Sequence, residues 1–214
     1  MPVENLRGVD TDEVAAVIAA AFIDLEIAEF LVPHDIAERE RCLREQFAYL
    51  ARAALISGGR VQGIRECGRV IAAAVWTIHP GGEITEPDDY DTVLRSITGP
   101  HYERFRALDD TFNRTTPQDP HHHLHLLAAS RRRTGFGTRL LTEHLTWADN
   151  ESGGTSTHFL HASNPTSARL YHRHDFQPAD FAEIPGSNGV YVYPMRRHPP
   201  ADISSHSRGG VHVV

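Results

Sequence analysis

The chain has 214 residues, 40% of them apolar and 23% charged, and a formal charge of -7 with histidine neutral. This is the balance of a soluble globular protein with one sizeable core; the negative charge speaks against nucleic acid as a general partner, and no apolar run is long enough to span a bilayer. Cys42 and Cys67 are too few for a disulfide framework and lack metal-motif spacing, and the acidic start (Asp10, Asp12, Glu13) is unlike a secretory leader, so a reduced, cytoplasmic setting is expected.

Val3 to Val9 reads as a first strand. Asp10, with Glu13 three residues on, resembles a capping box before the helical pattern Val14, Val17, Ile18, Ala21, Phe22. Pro33 stops a short helical stretch, and residues 35 to 54 form a long amphipathic helix. Residues 60–65 and 69–79 read as two strands, the second apolar enough to be central. Residues 83 to 118 are polar and helical in pieces. A strand at 122–129 leads through a glycine-bearing turn into a helix ending near Asn150. A strand at 157–162, a short helix at 166–174 and a closing hairpin (176–184 with 190–195) follow. The order β-α-α-β-β-(α)-β-α-β-α-β-β predicts an α/β fold, a mixed sheet of six to seven strands with helices on both faces. One domain is expected over residues 1–197, and a disordered tail from His198 onward, where Pro, Ser, Gly and His dominate.

The most informative segment is Arg132-Arg133-Thr134-Gly135-Phe136-Gly137. A strand, a glycine turn and a helix start aim several main-chain N–H groups at one spot, at the positive end of the helix dipole, where a phosphate binds. Three phosphate loops compete. The Walker type needs Lys after its last glycine, and the chain has no lysine. The dinucleotide fingerprint needs a third glycine and a distant acid within an early βαβ unit, and neither fits. The remaining pattern, Arg/Gln-x-x-Gly-x-Gly after a strand, resembles the coenzyme A loop of the GNAT superfamily of N-acetyltransferases.

A second motif agrees. Asn164, Ser167, Leu170, Tyr171 and Phe176 fall in register with the other signature of that superfamily. Ala20-Ala21-Phe22, Leu31-Val32-Pro33, Val75-Trp76 and Val192-Tyr193-Pro194-Met195 resemble its puromycin N-acetyltransferase-like, antibiotic-modifying branch. The resemblance covers about residues 3 to 197 and is loose between 80 and 118. It implies acetyl-CoA as acyl donor, held by Leu127, Ala128, Ala129, Arg132, Arg133, Thr134, Gly135, Phe136, Gly137, Thr138, Asn164 and Ser167. It implies a small-molecule amine as acceptor, with no membrane partner, and dimers are common in the family. The acceptor should be recognised by residues 24–56 and 80–118. Two departures stand out: the strand enters the turn about two residues early, and Asp175 replaces the glycine before Phe176.

Acetyl transfer needs a neutral amine, and a lysine-like amine is neutral in roughly one molecule in 2,500 at pH 7, a handicap of about 4.6 kcal/mol. A base relieves part of it, and the departing thiolate wants an acid. By the resemblance Tyr171 is that acid, unless it only packs. Asn164 caps its helix and is also a candidate contact to the coenzyme. His121, His123 and His125 alternate along the strand before the turn and so share a face. His123 matches a position where some relatives carry a catalytic Glu, and His161 another that often bears Glu. Both are base candidates; solvated or buried edge residues are the plain alternative. A zinc site from the alternating trio is conceivable by residue type, but neighbours on one strand need a ligand from elsewhere, and no metal is expected. The competing reading is an acyl-CoA-binding or interaction module of the same fold that does not catalyse transfer.

Overall fold

The computed structural model describes residues 1–83, 86–131 and 134–199. The strands are β1 (Val3–Asn5), β2 (Arg60–Glu66), β3 (Arg69–His79), β4 (His121–Ala129), β5 (His158–Ala162), β6 (Gln177–Pro178), β7 (Ala182–Glu183) and β8 (Tyr191–Arg197). The helices are α1 (Thr11–Phe22), α2 (Glu26–Leu31), α3 (Ile36–Ile56), α4 (Tyr90–Thr98), α5 (Tyr102–Thr115), α6 (Phe136–Glu151) and α7 (Pro165–His172). The sheet runs β1-β2-β3-β4-β5-β8-β6, with β7 pairing β8 off that path. Only the β4–β5 neighbours are parallel; the other paired strands among the described residues are antiparallel.

The expected α/β architecture is thus observed, with eight strands rather than six to seven. The stretch read as one strand, 176–184, is two short ones, whose registers against β8 differ by one residue. β1 ends at Asn5, and Gly8–Asp10 forms a single 3-10 turn. The expected Asp10–Glu13 capping box is absent: the Asp10 carboxylate accepts from Arg7 N at 2.9 Å, and both acids pair with Arg65 of β2, at 2.6 and 2.8 Å. The polar stretch from 83 onward resolves into α4 and α5. The tail expectation falls largely on residues 200–214, outside the described residues.

Two apolar layers sandwich the sheet. One holds Val14, Ile18, Leu43, Phe47 and Ala51 of α1 and α3 against Val75, Leu126 and Ala128; the other holds Leu140, Leu141 and Leu145 of α6 against Ala72, Ala74, Trp76 and Leu160. β3 is buried on both faces from Ala72 to Trp76, as its apolar run predicts. α3 starts where the Asp35 carboxylate accepts from Glu38 N at 2.9 Å. Buried Arg39 donates to the carbonyls of Val32 and Ile23, at 2.8 and 3.1 Å, and so fixes the segment between α1 and α3.

Candidate active site

The site is built around a fork in the sheet. β4 and β5 pair through three residues only: His122 with His158, His123 with Phe159, and Leu124 with Leu160. Beyond Leu124 the β4 residues Leu126 to Ala129 remain paired to β3, while His161 and Ala162 are paired to β8. The register of β4 against β3 shifts between Val75 and Trp76, so that His125 is the extra residue of a bulge. The bulge turns β4 at the mouth of the fork and hands its core-facing positions from Leu124 on the α6 side to Leu126 on the other side.

The glycine turn sits at this fork. Gly135 is the N-cap of α6 with φ +78°, a left-handed conformation that glycine adopts without strain. It carries no side-chain cap, the first turn of α6 holds no acidic side chain, and a β-carbon at Gly135 would face open space. The first N–H groups of a helix lack intrahelical partners and lie at the positive dipole end. Open amides with that polarity fit a diphosphate. Gly137 faces the other way: a β-carbon there would meet Leu170 of α7 at 3.3 Å and Leu127 of β4 at 3.4 Å. Phe136 is buried in the core, while Thr134 and Thr138 are exposed. Arg132 and Arg133 lie outside the described residues. Arg131 is held by Glu66, at 2.8 Å to each carboxylate oxygen.

α7 flanks the fork. Asn164 Oδ1 accepts from Thr166 N and Ser167 N, at 3.0 and 2.9 Å, and Asn164 N donates to Ser167 Oγ at 3.3 Å. Pro165 fills the first helical position, where no N–H is needed. Asp175, in the place of the missing glycine, has φ +65°. Tyr171 is buried in the same apolar cluster as Phe136 and meets Phe176 edge-on at 6.1 Å. Burial pushes its pKa up, so the phenol is a proton donor at neutral pH.

The histidines occupy the opposite face. His123 stacks on His125 at 4.1 Å and lies 5.7 Å from both His121 and His161. His125 itself is exposed and meets Thr77 Oγ1 at 2.8 Å. His161 Nε2 lies 2.8 Å from Thr115 Oγ1, whose own proton goes to Thr111 O, also at 2.8 Å. His161 is therefore the donor, and its Nδ1 is left as a lone pair. Burial pushes the His161 pKa down to about 3 and holds that of His123 well below its ordinary value, so both rings are neutral at pH 7. The structure thus brings Gly135, Gly137, Leu127, Leu170 and Tyr171 to the α6–α7 side of the fork, and His123 and His161 to the α5 side. The extra imidazole at the bulge, His125, was not singled out as a site residue; its place depends on a register shift that alternation alone does not reveal.

The family model for the acetyltransferase (GNAT) family matches residues 19–176, and the chain belongs to that family. No curated protein matches in a sequence comparison. Among solved structures, the chain is similar to a histone acetyltransferase HPA2 and related acetyltransferase from Corynebacterium glutamicum, at 23% identity over 93% of this chain and 96% of that one, TM-score 0.69. Arylalkylamine N-acetyltransferase 2 from Aedes aegypti shares 14% identity over 92% and 97% of the two chains, TM-score 0.59. A polyamine N-acetyltransferase from Drosophila melanogaster shares 16% over 92% and 98%, TM-score 0.54. At these identities the likeness concerns the fold. Among the described residues, no helix is long and apolar enough to cross a membrane.

Proposed function

We propose that this chain is an acetyl-CoA-dependent N-acetyltransferase that acetylates the amine of a small molecule by direct transfer in a ternary complex. The observation that carries the reading is the fork between β4 and β5, with the open N-terminus of α6 at its edge and Tyr171 on one side. Acetyl-CoA, when bound, supplies an acyl group as a thioester activated toward amines. Main-chain N–H groups of Gly135, Phe136, Gly137 and Thr138 hold its diphosphate, joined by Arg132 and Arg133; Leu127, Ala128, Ala129, Asn164 and Ser167 line the path of its arm. β4 amides that point toward β5 beyond Leu124 have no strand to pair with and are available to an oxyanion. Tyr171 delivers a proton to the leaving sulfur.

His161 or His123 takes the proton from the amine. Burial keeps these rings neutral but also makes them reluctant to retain a proton. A proton taken there is therefore released to solvent rather than kept. The likeness to the antibiotic-modifying branch suggests an antibiotic or related metabolite as acceptor, hence a self-resistance or tailoring role in the cytoplasm, with a homodimer as the assembly to test; these rest on analogy.

A second reading, an acyl-CoA-binding module without transfer, is favoured by one observation: Arg131 is paired with Glu66 beside a short turn. Calorimetry with acetyl-CoA followed by thiol release with a panel of amines separates the two. Thiol release with any amine supports the transferase; tight binding without release supports the module; no binding rejects both.

A further inference from the structure

On the α6 side of the sheet, below the fork, lies a second imidazole cluster that acyl transfer does not use. His122 of β4, His144 of α6 and His158 of β5 each bring one ring nitrogen to a common region, all within 4.8 Å of one another. His122 Nδ1 and His144 Nε2 are 3.2 Å apart. Zinc–imidazole bonds of about 2.0–2.1 Å at tetrahedral angles set nitrogens about 3.4 Å apart, so this pair already has the spacing, and modest ring rotation brings in the third. His121, His123 and His125 on the other face do not converge in this way.

The bonding of the cluster is incomplete. His144 and His158 are fully buried, yet His158 Nε2 has no hydrogen-bond partner. Arg197 donates to His158 Nδ1 at 3.4 Å, which places the proton of the neutral ring on the sealed Nε2. Orphaned buried nitrogens are rare in folded proteins unless a water or an ion meets them. Imidazole binds such ions in its neutral form.

The surroundings hold the rings in place. His144 stacks face to face on Trp76, 3.7 Å apart with planes 1° from parallel. The neighbouring cations are balanced: Arg60 lies 3.5 Å from Glu143 and Arg197 lies 2.8 Å from Asp149. We propose that His122, His144 and His158 form a binding site for a zinc-class divalent ion, with a fourth position open to water beside half-buried His122. Binding through His158 Nε2 moves that ring's proton to Nδ1, so the 3.4 Å contact with Arg197 is the one that must give way. Imidazole donors select zinc, cobalt, nickel or copper over magnesium or calcium. The ion ties together β4, β5 and α6, the elements that frame the fork, and this site stands independently of the transferase reading.

The test is cobalt titration of the untagged full chain. One equivalent should bind with the intense visible absorption of four-coordinate cobalt, zinc should displace it, and zinc should raise the melting temperature reversibly with chelator. His122→Ala, at the half-buried ligand, should weaken binding beyond the roughly 10–100-fold that losing an outer-shell partner costs. His125→Ala, on the other face, should leave the isotherm unchanged. No stoichiometric binding, a six-coordinate spectrum in the wild type, an unchanged His122→Ala isotherm, or loss of binding in His125→Ala overturns the proposal.

Discussion

Gly137 of α6 and Leu170 of α7 are so close that a methyl group on the glycine would stand 3.3 Å from Leu170 Cδ2. The start of one helix is therefore keyed to the side of the other, with Leu127 of β4 completing the contact at 3.4 Å. Because both neighbours are the flexible ends of leucines, alanine fits with a shift of a few tenths of an ångström. Valine does not. Gly137→Val should cost about 1–3 kcal/mol in urea unfolding and weaken acetyl-CoA binding more than Gly137→Ala does. Equal coenzyme affinity in both variants would remove this contact from the binding site.

Tyr171→Phe keeps the ring against Phe176 and deletes only the hydroxyl. Turnover should fall by about 10²-fold or more while the acetyl-CoA dissociation constant holds steady. Turnover equal to wild type would leave Tyr171 as a packing residue.

His161→Gln preserves a donor toward Thr115 but lacks the imidazole lone pair at Nδ1. If His161 is the base, turnover should drop by about 10²- to 10⁴-fold with little change in melting temperature. The matched variant His123→Gln decides between them: the larger loss, measured at saturating acetyl-CoA, identifies the base.

The ends of α7 should respond in opposite directions. Asn164→Ala removes the acceptor of two main-chain N–H groups and should cost about 0.5–2 kcal/mol. Asp175→Gly relieves a left-handed conformation and should gain about 0.5–1 kcal/mol, the relief partly offset by glycine's greater unfolded-state entropy. Chemical denaturation of both variants checks the signs.

Asp109 of α5 gives a pH prediction. Burial pushes its pKa up to about 7, against the opposing pull of the Tyr90 hydroxyl and Arg106. In the unfolded chain the carboxyl ionises near about 3.9, so between the two values the folded state binds more protons. This contribution is fully present below about pH 4 and is lost as pH rises through 7. Asp109→Asn keeps an acceptor for Tyr90, which donates to Asp109 at 2.9 Å. The variant should be more stable than wild type at pH 8, by on the order of 1–3 kcal/mol, with the gain gone at pH 4. A gain independent of pH rules out the titration of Asp109 as its source.

Much of the frame was legible in the sequence because it depends on local chemistry. The apolar run of β3, the Asn164 cap and the left-handed demand at Asp175 follow from residue type and spacing. What was not legible depends on register and distance. The bulge at His125 and the early end of β4–β5 pairing concern which residue faces which. Asp10 and Glu13 looked like a local cap, but Arg65 from another strand competes for both. His122, His144 and His158 sit on three elements, and their convergence needs the fold.

The three residue pairs that join β4 to β5 divide the sheet into two antiparallel blocks, β1 to β4 and β5 with β6 to β8. So short a seam has few main-chain bonds to break, and opening free energies differ widely across a fold. Amide exchange at the seam should therefore report the two blocks parting slightly while each keeps its own ladder intact.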